Sequence, residues 1–155
     1  MATATVNLAP VNDAPVVVGE VIDSTEDVPL NIQTSLLLAN DSDIDNPASD
    51  LRIVSLGSAT HGTINLNSDG SITFAPDLNY FGPASFVYTV SDGSGGFTAG
   101  TASLNIAPLN DAPLAVGDSL SLDEDVIAHF SITSLLANDS DVDNAHSDLV
   151  ITGVS

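Results

Sequence analysis

The sequence has no cysteine, no lysine and no tryptophan, and its only arginine is Arg52. Without cysteine, the chain forms neither disulfide bonds nor thiolate metal sites. Its 21 acidic residues against one basic residue give a formal net charge of −20. This charge excludes nucleic acid and anionic membrane surfaces as partners, and it favours cations instead.

Long apolar runs are also absent. No stretch of 18 apolar residues occurs, and the opening "MATATVNLAP" has no basic region followed by an apolar one. The sequence therefore predicts no membrane span, no membrane insertion and no signal peptide within these residues. With 155 residues and 43% apolar content, the chain can bury one complete core.

Short β-branched and alternating runs bounded by turn residues are typical of a β-sandwich. They predict strands at residues 16–22, 28–32, 51–58, 62–67, 71–76, 84–92 and 97–108. Pro29 keeps the second strand near an edge, "NSDG" predicts a tight hairpin turn, and residues 34–40 predict one helical turn. No sustained 3.6-residue apolar period occurs, so the predicted fold class is all-β.

Several motifs occur twice at one spacing of 98 residues. "LLANDSDIDNPASDL" (37–51) returns as "LLANDSDVDNAHSDL" (135–149), and both "NDAP" (12–15, 110–113) and "EDV" (26–28, 124–126) keep the same offset. "TATVNLAP" (3–10) likewise matches "TASLNIAP" (101–108). The spacing predicts tandem domains of about 100 residues. We expect the last strand of a preceding repeat at residues 1–10, a complete repeat at 11–109 and the first part of the next at 110–155.

Successive loops of an antiparallel sandwich lie at opposite ends, which predicts two clusters of oxygen-bearing side chains. The upper cluster holds Asn12, Asp13, Asp41, Asp43 and Asp45, with Asp50 as a further candidate. The joint cluster, where one repeat meets the next, holds Glu26, Asp27, Asn110, Asp111, Asp139, Asp141 and Asp143, with Asp148 as a further candidate. Ca²⁺ binds about six to eight such oxygens, and no basic residue near them in sequence neutralises the acids. The pattern predicts Ca²⁺ sites.

Other interpretations of these residues remain open. Aspartate is common in turns for its own hydrogen bonds, so the loops could be solvated turns without metal. The loops differ from an EF-hand, because no glycine follows Asp45 and Arg52 stands where the bidentate acid would be. Asp92 in "SDGSGG" either faces the upper cluster or only shapes a glycine-rich turn, and we prefer the turn.

No catalytic constellation is visible in the sequence. His61 lies in a predicted turn, and His129 and His146 have no counterpart in the first copy, so a Ser-His-Asp triad cannot recur. All three histidines are expected at the surface or in turns. Tyr80 and Phe81 are expected in core and corner packing rather than in a sugar-binding platform. We therefore expect no enzyme activity.

The order of motifs resembles a known family. The series "NDAP…ED…LLANDSDIDN…HGT…NSDGSITFAPDLNYFGPASFVYTVSDGSGG" is similar to the cadherin-like or Ig-like repeats, often called tandem-95 repeats, of large bacterial surface adhesins and of RTX-type and biofilm proteins. The resemblance covers the whole chain and implies an extracellular Ig-like or cadherin-like β-sandwich used in multiples. The "VNDAP" linker is also similar to the Asn-Asp linker of cadherins, where Ca²⁺ stiffens each joint.

These features predict a structural segment of a secreted or cell-surface adhesin, a calcium-stiffened spacer for cell adhesion or biofilm formation. Its partners would be neighbouring repeats of the same chain. In the alternative, the repeats themselves bind surface carbohydrate or a like chain. Residues 110–155 contain only the first three strand equivalents, so we expect the molecule to continue beyond Ser155 or to exchange strands with residues 58–107 of another copy.

Overall fold

The computed structural model describes residues 2–125 and 127–153, which form two compact units, Met1–Pro108 and Leu109–Ser155. The strands of the first unit are β1 (Val21–Thr25), β2 (Leu30–Ile32), β3 (Arg52–Thr60), β4 (Gly62–Leu66), β5 (Ile72–Pro76), β6 (Gly82–Ser91) and β7 (Phe97–Ala107). One helical turn, α1 (Thr34–Leu37), follows β2, as the sequence predicts. A 3₁₀ turn at Ala48–Asp50 precedes β3.

The strands form two sheets. The larger sheet has four strands in the order β1-β7-β6-β3, and the smaller has three in the order β2-β5-β4. All neighbours run antiparallel except β1 and β7, which are parallel. The predicted all-β sandwich is confirmed, and β2, which follows Pro29, lies at a sheet edge as expected.

Alternating side chains of both sheets build the core. Phe86, Tyr88 and Val90 of β6 are fully buried, while the residues between them face outward. They pack in one cluster with Ile72 and Phe74 of the smaller sheet. Each large apolar side chain buried in this way stabilises the fold by about 1.5–3 kcal/mol. The strand alternation read from the sequence therefore assigns this face correctly.

The first strand lies later than predicted. Residues 16–22 were expected to form it, but β1 begins at Val21, and Val16 forms only an isolated bridge with Ser42. Before β1, the chain runs close beside β7: a Cβ on Gly100 would lie 2.6 Å from Val17 Cγ1, and one on Gly19 would lie 2.4 Å from the Thr101 oxygen. Val17 and Gly19 thus lie beside β7 ahead of the ladder, which begins at Val21 and Ser103.

The corner between β5 and β6 agrees with the prediction for one aromatic residue and corrects it for the other. Tyr80 packs against the core, and its hydroxyl donates to the Pro83 carbonyl at 2.8 Å. Its ring stacks on His61, with centroids 3.9 Å apart, in the turn that was predicted for this histidine. Phe81 is 55% exposed, so its expected packing is wrong. Gly82, at φ 128°, turns the chain so that Phe81 leaves the core.

The second unit does not form the expected strands. It contains α2 (Ile132–Leu135) and a 3₁₀ turn at His146–Asp148, and within residues 109–125 and 127–153 its only ladder is the Leu114–Ser140 bridge. In the first unit β1, β2 and β3 pair with β7, β5 and β6, never with one another. Within residues 109–125 and 127–153, the second unit contains no counterpart of β5, β6 or β7. His129 and His146 are exposed, as predicted.

Candidate functional site

The acidic loop, residues 40–46, directs its three aspartates to different places. Asp43 Oδ1 accepts the backbone N–H groups of Asp45 at 2.8 Å and of Asn46 at 2.9 Å, which closes a tight turn. Aspartate favours this geometry because its side chain can hydrogen-bond the backbone two residues on. Asp41 and Asp45 flank this turn, and they contact different residues of the segment that precedes β1.

Asp41 and Asp45 hold the linker segment, residues 11–18. Asp45 Oδ2 accepts the N–H of Asp13 at 2.8 Å, and Asp41 Oδ1 accepts the N–H of Val18 at 2.9 Å. Between these contacts, Val16 and Ser42 exchange two backbone hydrogen bonds of 2.7 and 3.1 Å. The loop and the linker segment are thus joined along their length, with carboxylates supplying acceptors that a flanking strand would otherwise provide.

Asp92, in the turn between β6 and β7, belongs to the same cluster. It is only 1% exposed, and its Oδ2 accepts from Asn12 Nδ2 at 2.7 Å. Its oxygens also accept the N–H groups of Ser94 and Gly96. The Asn12 amide and these backbone groups hold the pKa of the Asp92 carboxyl below its usual value. The preferred turn-only interpretation of Asp92 is therefore wrong, because the turn is also a contact with the linker segment.

Asn46 is a central residue that sequence reasoning missed. Its Nδ2 donates to Asn12 Oδ1 at 3.1 Å, and its Oδ1 accepts from the Ser94 hydroxyl at 3.1 Å. It therefore joins the acidic loop to the linker segment and to the β6–β7 turn. The signal was present in the sequence, because Asn46 recurs as Asn144 in the second copy.

The second unit repeats this arrangement within itself. Asp111 N–H donates to Asp143 Oδ2, Val116 N–H to Asp139 Oδ1, and Asn144 Nδ2 to Asn110 Oδ1. Asp141 Oδ1 accepts from the N–H groups of Asp143 and Asn144, and Leu114 and Ser140 exchange two backbone hydrogen bonds. The Asp143 N–H and then the Asn144 groups lower the pKa of Asp141. Each contact is the counterpart of one in the first unit, 98 residues earlier.

Comparison with known proteins identifies the domain. A family model described as "Cadherin-like domain" matches residues 11–107, which is more than half of the chain. The chain belongs to the cadherin-like domain family. The match covers the two-sheet sandwich together with the linker segment that docks on it. No curated protein matches the sequence.

Two solved structures show similarity to the cadherin-like domain at low identity. One is an endo-fucoidan hydrolase of glycoside hydrolase family 107, with 18% identity and a TM-score of 0.42. The other is a variant of that enzyme, with 20% identity and a TM-score of 0.39. They cover 63% and 62% of this chain, whereas the chain spans only 14% of each of theirs. Across residues 2–125 and 127–153, no helix of the chain is long and apolar enough to cross a membrane.

The upper cluster offers the kind of oxygen that Ca²⁺ takes, although its carboxylates do not converge. Among the described residues, no group of three or more acidic or histidine side chains is close enough to hold a metal ion. Asp43 Oδ2, however, is buried and has no hydrogen-bond partner among those residues. Such an oxygen costs free energy unless a cation or a donor meets it. The oxygens of the cluster are therefore of the kind that Ca²⁺ takes.

The two further candidate acids have local partners. Asp50 and Asp148 lie in the 3₁₀ turns that follow the two acidic loops, where each accepts a hydrogen bond of 3.3 Å from the preceding serine hydroxyl. Both residues are exposed. Neither therefore shares the burial of Asp41 Oδ2 and Asp43 Oδ2.

The predicted joint cluster takes its residues from both units. Glu26 directly follows β1 in the first unit, is fully buried, and donates its N–H to the Ala107 carbonyl at 3.0 Å. Asp27 has a φ of 59°, and its carboxylate accepts the N–H of Asn79 at 2.9 Å. Asp125, the counterpart of Asp27, has a φ of 61° in the second unit. The joint cluster as a whole stays a prediction.

A second acidic group lies beneath the linker segment. Glu20 Oε2 accepts the hydroxyl of the fully buried Tyr88 at 2.8 Å, while Glu20 Oε1 and Asp41 Oδ2 are buried without a hydrogen-bond partner among the described residues. Burial raises the pKa of Glu20, and the Asp41 charge raises it further. Burial likewise raises the pKa of Asp41. Burial and then Glu20 raise the pKa of the Tyr88 hydroxyl, so it remains a donor at neutral pH.

Proposed function

We propose that this cadherin-like domain is a calcium-stiffened spacer repeat of a secreted or cell-surface adhesin, acting in cell adhesion or biofilm formation. The observation that carries the proposal is the docking of the linker segment on the acidic loop, which recurs with the same partners 98 residues later. A repeat that holds its own linker segment in place suits a module that sets the length and direction of a spacer. Neighbouring repeats are its proposed partners, and we propose no catalytic role.

Calcium is proposed because of the charge and the oxygen donors. The chain has a net charge of −20 with Arg52 as its only base, so self-repulsion opposes the compact state unless a cation reduces it. In the upper cluster, Asp41 Oδ2 and Asp43 Oδ2 are buried oxygens that lack a hydrogen-bond partner among the described residues. We expect Asp43 to bind the ion with oxygens of Asn12, Asp13 and Asp45. When bound, Ca²⁺ would supply the positive charge that no side chain provides.

At the joint, we propose the equivalent acids as ligands. The set is Glu26, Asp27, Asn110, Asp111, Asp141 and Asp143, with Asp139 considered separately below. Affinity should be weak, about 10⁻⁴ to 10⁻³ M, as is typical of extracellular calcium modules. Extracellular calcium at about millimolar concentration would then fill much of such a site.

A calcium titration followed by calorimetry and by X-ray scattering tests binding and stiffening together. We expect a calcium isotherm, and a smaller spread of molecular dimensions once the sites are filled. Asp43→Ala and Asp141→Ala should each weaken the isotherm, whereas Asp77→Ala, which removes an exposed acid outside both loops, should leave it unchanged. If neither loop variant alters the isotherm, the loops are only turns and the proposed calcium site is wrong.

A separate assay distinguishes the spacer from a binding module. The chain should show no binding on a glycan array and no association with further copies of itself. Binding to a glycan or to a second copy would favour the alternative, in which the repeats themselves are adhesive through multivalency. Turnover of a glycan or a peptide would contradict both functions.

A further inference from the structure

We infer that Asp41, the first aspartate of the acidic loop, is a positioning residue that docks the linker segment through the Val18 amide, and that this docking does not require calcium. Its counterpart in the second unit is Asp139. The docking itself rests on hydrogen bonds between protein groups. Only the statement that Asp41 is not a calcium ligand rests on the proposed function.

The position of Asp41 supports this role. Its side chain is only 6% exposed, and its Oδ1 accepts the N–H of Val18 at 2.9 Å. The next residue, Ser42, exchanges two backbone hydrogen bonds with Val16. Adjacent loop residues therefore bind alternate residues of the linker segment, as a strand would. The contact is part-buried, so an amide that lost this acceptor would carry part of the cost of its desolvation.

Asp41 differs from Asp43 in its surroundings. Both residues have one buried carboxylate oxygen without a hydrogen-bond partner among the described residues. Asp43 lies in the cluster with Asn12, Asn46 and Asp45, which carries several further oxygens. The charge of Asp41 instead acts on Glu20 and on Tyr88, beneath the linker segment. What Val18 requires of Asp41 is an acceptor, and the negative charge beside Glu20 is unfavourable. An asparagine at position 41 would keep the acceptor and remove the charge.

The same contact recurs in the second unit. Val116 N–H donates to Asp139 Oδ1 at 2.8 Å, and Leu114 and Ser140 exchange the same two backbone hydrogen bonds. Within residues 109–125 and 127–153 there is no strand beyond that bridge. The linker segment and its loop therefore make the same contacts in both units.

The test compares three variants of the full chain, Asp41→Ala, Asp41→Asn and Asp43→Asn. Hydrogen exchange at the Val18 amide is measured in EGTA, and calcium binding is measured by calorimetry. In wild-type protein we expect Val18 to be protected without calcium. Asp41→Ala should speed its exchange by about 10- to 100-fold, since one charge-assisted hydrogen bond is lost. Asp41→Asn should restore protection and leave the calcium isotherm unchanged.

Asp43→Asn is the matched control, with the same chemical change two residues away. It should weaken calcium binding while the Val18 amide stays protected. If Asp41→Ala does not fold, Asp41→Asn carries the test, because a purely acceptor role predicts a folded protein with normal calcium binding.

Two results would overturn the inference. The first is a Val18 amide that is protected only when calcium is present. The second is a loss of calcium binding in Asp41→Asn, which would make Asp41 a ligand. If the wild-type protein binds no calcium at all, the proposed function fails, while protection of Val18 in EGTA still decides whether the docking occurs.

Discussion

Single carboxylates of this domain differ in the sign of their effect on stability. Hydrogen-bond donors around Asp92 lower its pKa, so its contribution is present at neutral pH and is lost as the pH falls through its folded value. Glu20 is the opposite case, because burial raises its pKa. Its contribution is present below the usual glutamate value and is lost as the pH rises through its folded value. At neutral pH, therefore, the charge of Asp92 stabilises the folded state, whereas the charge of Glu20 destabilises it.

The Glu20→Gln variant tests this difference. Glutamine keeps an acceptor for the Tyr88 hydroxyl and removes a buried charge, so the free energy of unfolding should exceed that of wild type at pH 7. The gain should shrink as the pH falls from 7 to below the usual glutamate pKa, because burial raises the Glu20 pKa and the folded wild-type protein takes up this proton before the unfolded chain does. Urea unfolding in EGTA between these pH values measures it. Asp118→Asn, which removes one exposed acid, is the control, and an equal gain in both variants would assign the effect to net charge alone.

The sequence predicted which residues of the acidic loop and the linker segment lie together better than it predicted their contacts. Repetition marked Asn12, Asp13, Asp43 and Asp45, which the structure brings into one hydrogen-bonded cluster. It could not show that Asp92 joins them, because that contact closes a separation of 80 residues. A D-x-D-x-D pattern also cannot show which carboxylate oxygens accept backbone N–H groups, since this depends on the path of the linker segment.

At the scale of elements, the strands β2 to β7 lie within a few residues of their predicted positions, because each has a clear alternation and a turn at its end. The first strand was misplaced because the apolar run at residues 16–18 looks like a strand, yet that segment pairs with the acidic loop instead. In the second unit, the three strand equivalents form no ladder beyond the Leu114–Ser140 bridge within residues 109–125 and 127–153. Alternation shows that a segment suits a sheet, but a ladder also needs its partner.

The close approach of the linker segment to β7 leads to a prediction for Gly100→Ala. A Cβ at this position would lie 2.5 Å from Tyr88 Cζ and 2.6 Å from Val17 Cγ1, so the strand or the linker segment must shift. Overpacking of this kind costs about 1–3 kcal/mol, which should lower the melting temperature by about 4–8 °C per kcal/mol. Thermal unfolding measures the change. Gly117→Ala is the control, because a Cβ there meets nothing within 4 Å. Equal melting temperatures for wild type and both variants would contradict the close approach at Gly100.

At the scale of the whole molecule, the dominant property is the net charge of −20. Like charges repel more strongly in a compact state than in an extended chain, and salt screens them. Raising NaCl from about 10 mM to about 150 mM shortens the Debye length from about 30 Å to about 8 Å. We therefore expect the midpoint of urea unfolding in EGTA to rise with NaCl. Calcium at matched ionic strength should raise this midpoint further. Equal midpoints with and without calcium would mean that charge screening alone stabilises the domain.

The parallel pairing of β1 with β7 determines how the domain would respond to being stretched. The chain enters β1 at the end where the acidic loop lies and leaves β7 at the opposite end, so tension between residues 11 and 108 acts along both strands. Their ladder, from Val21 and Ser103 to Thr25 and Ala107, is then loaded in shear, and its hydrogen bonds must break together instead of one after another. The contacts of Asp41 and Asp45 with the linker segment lie ahead of this ladder and take the load first. A gentle pull would therefore free the linker segment and lengthen the molecule slightly, while the sandwich behind it stays intact.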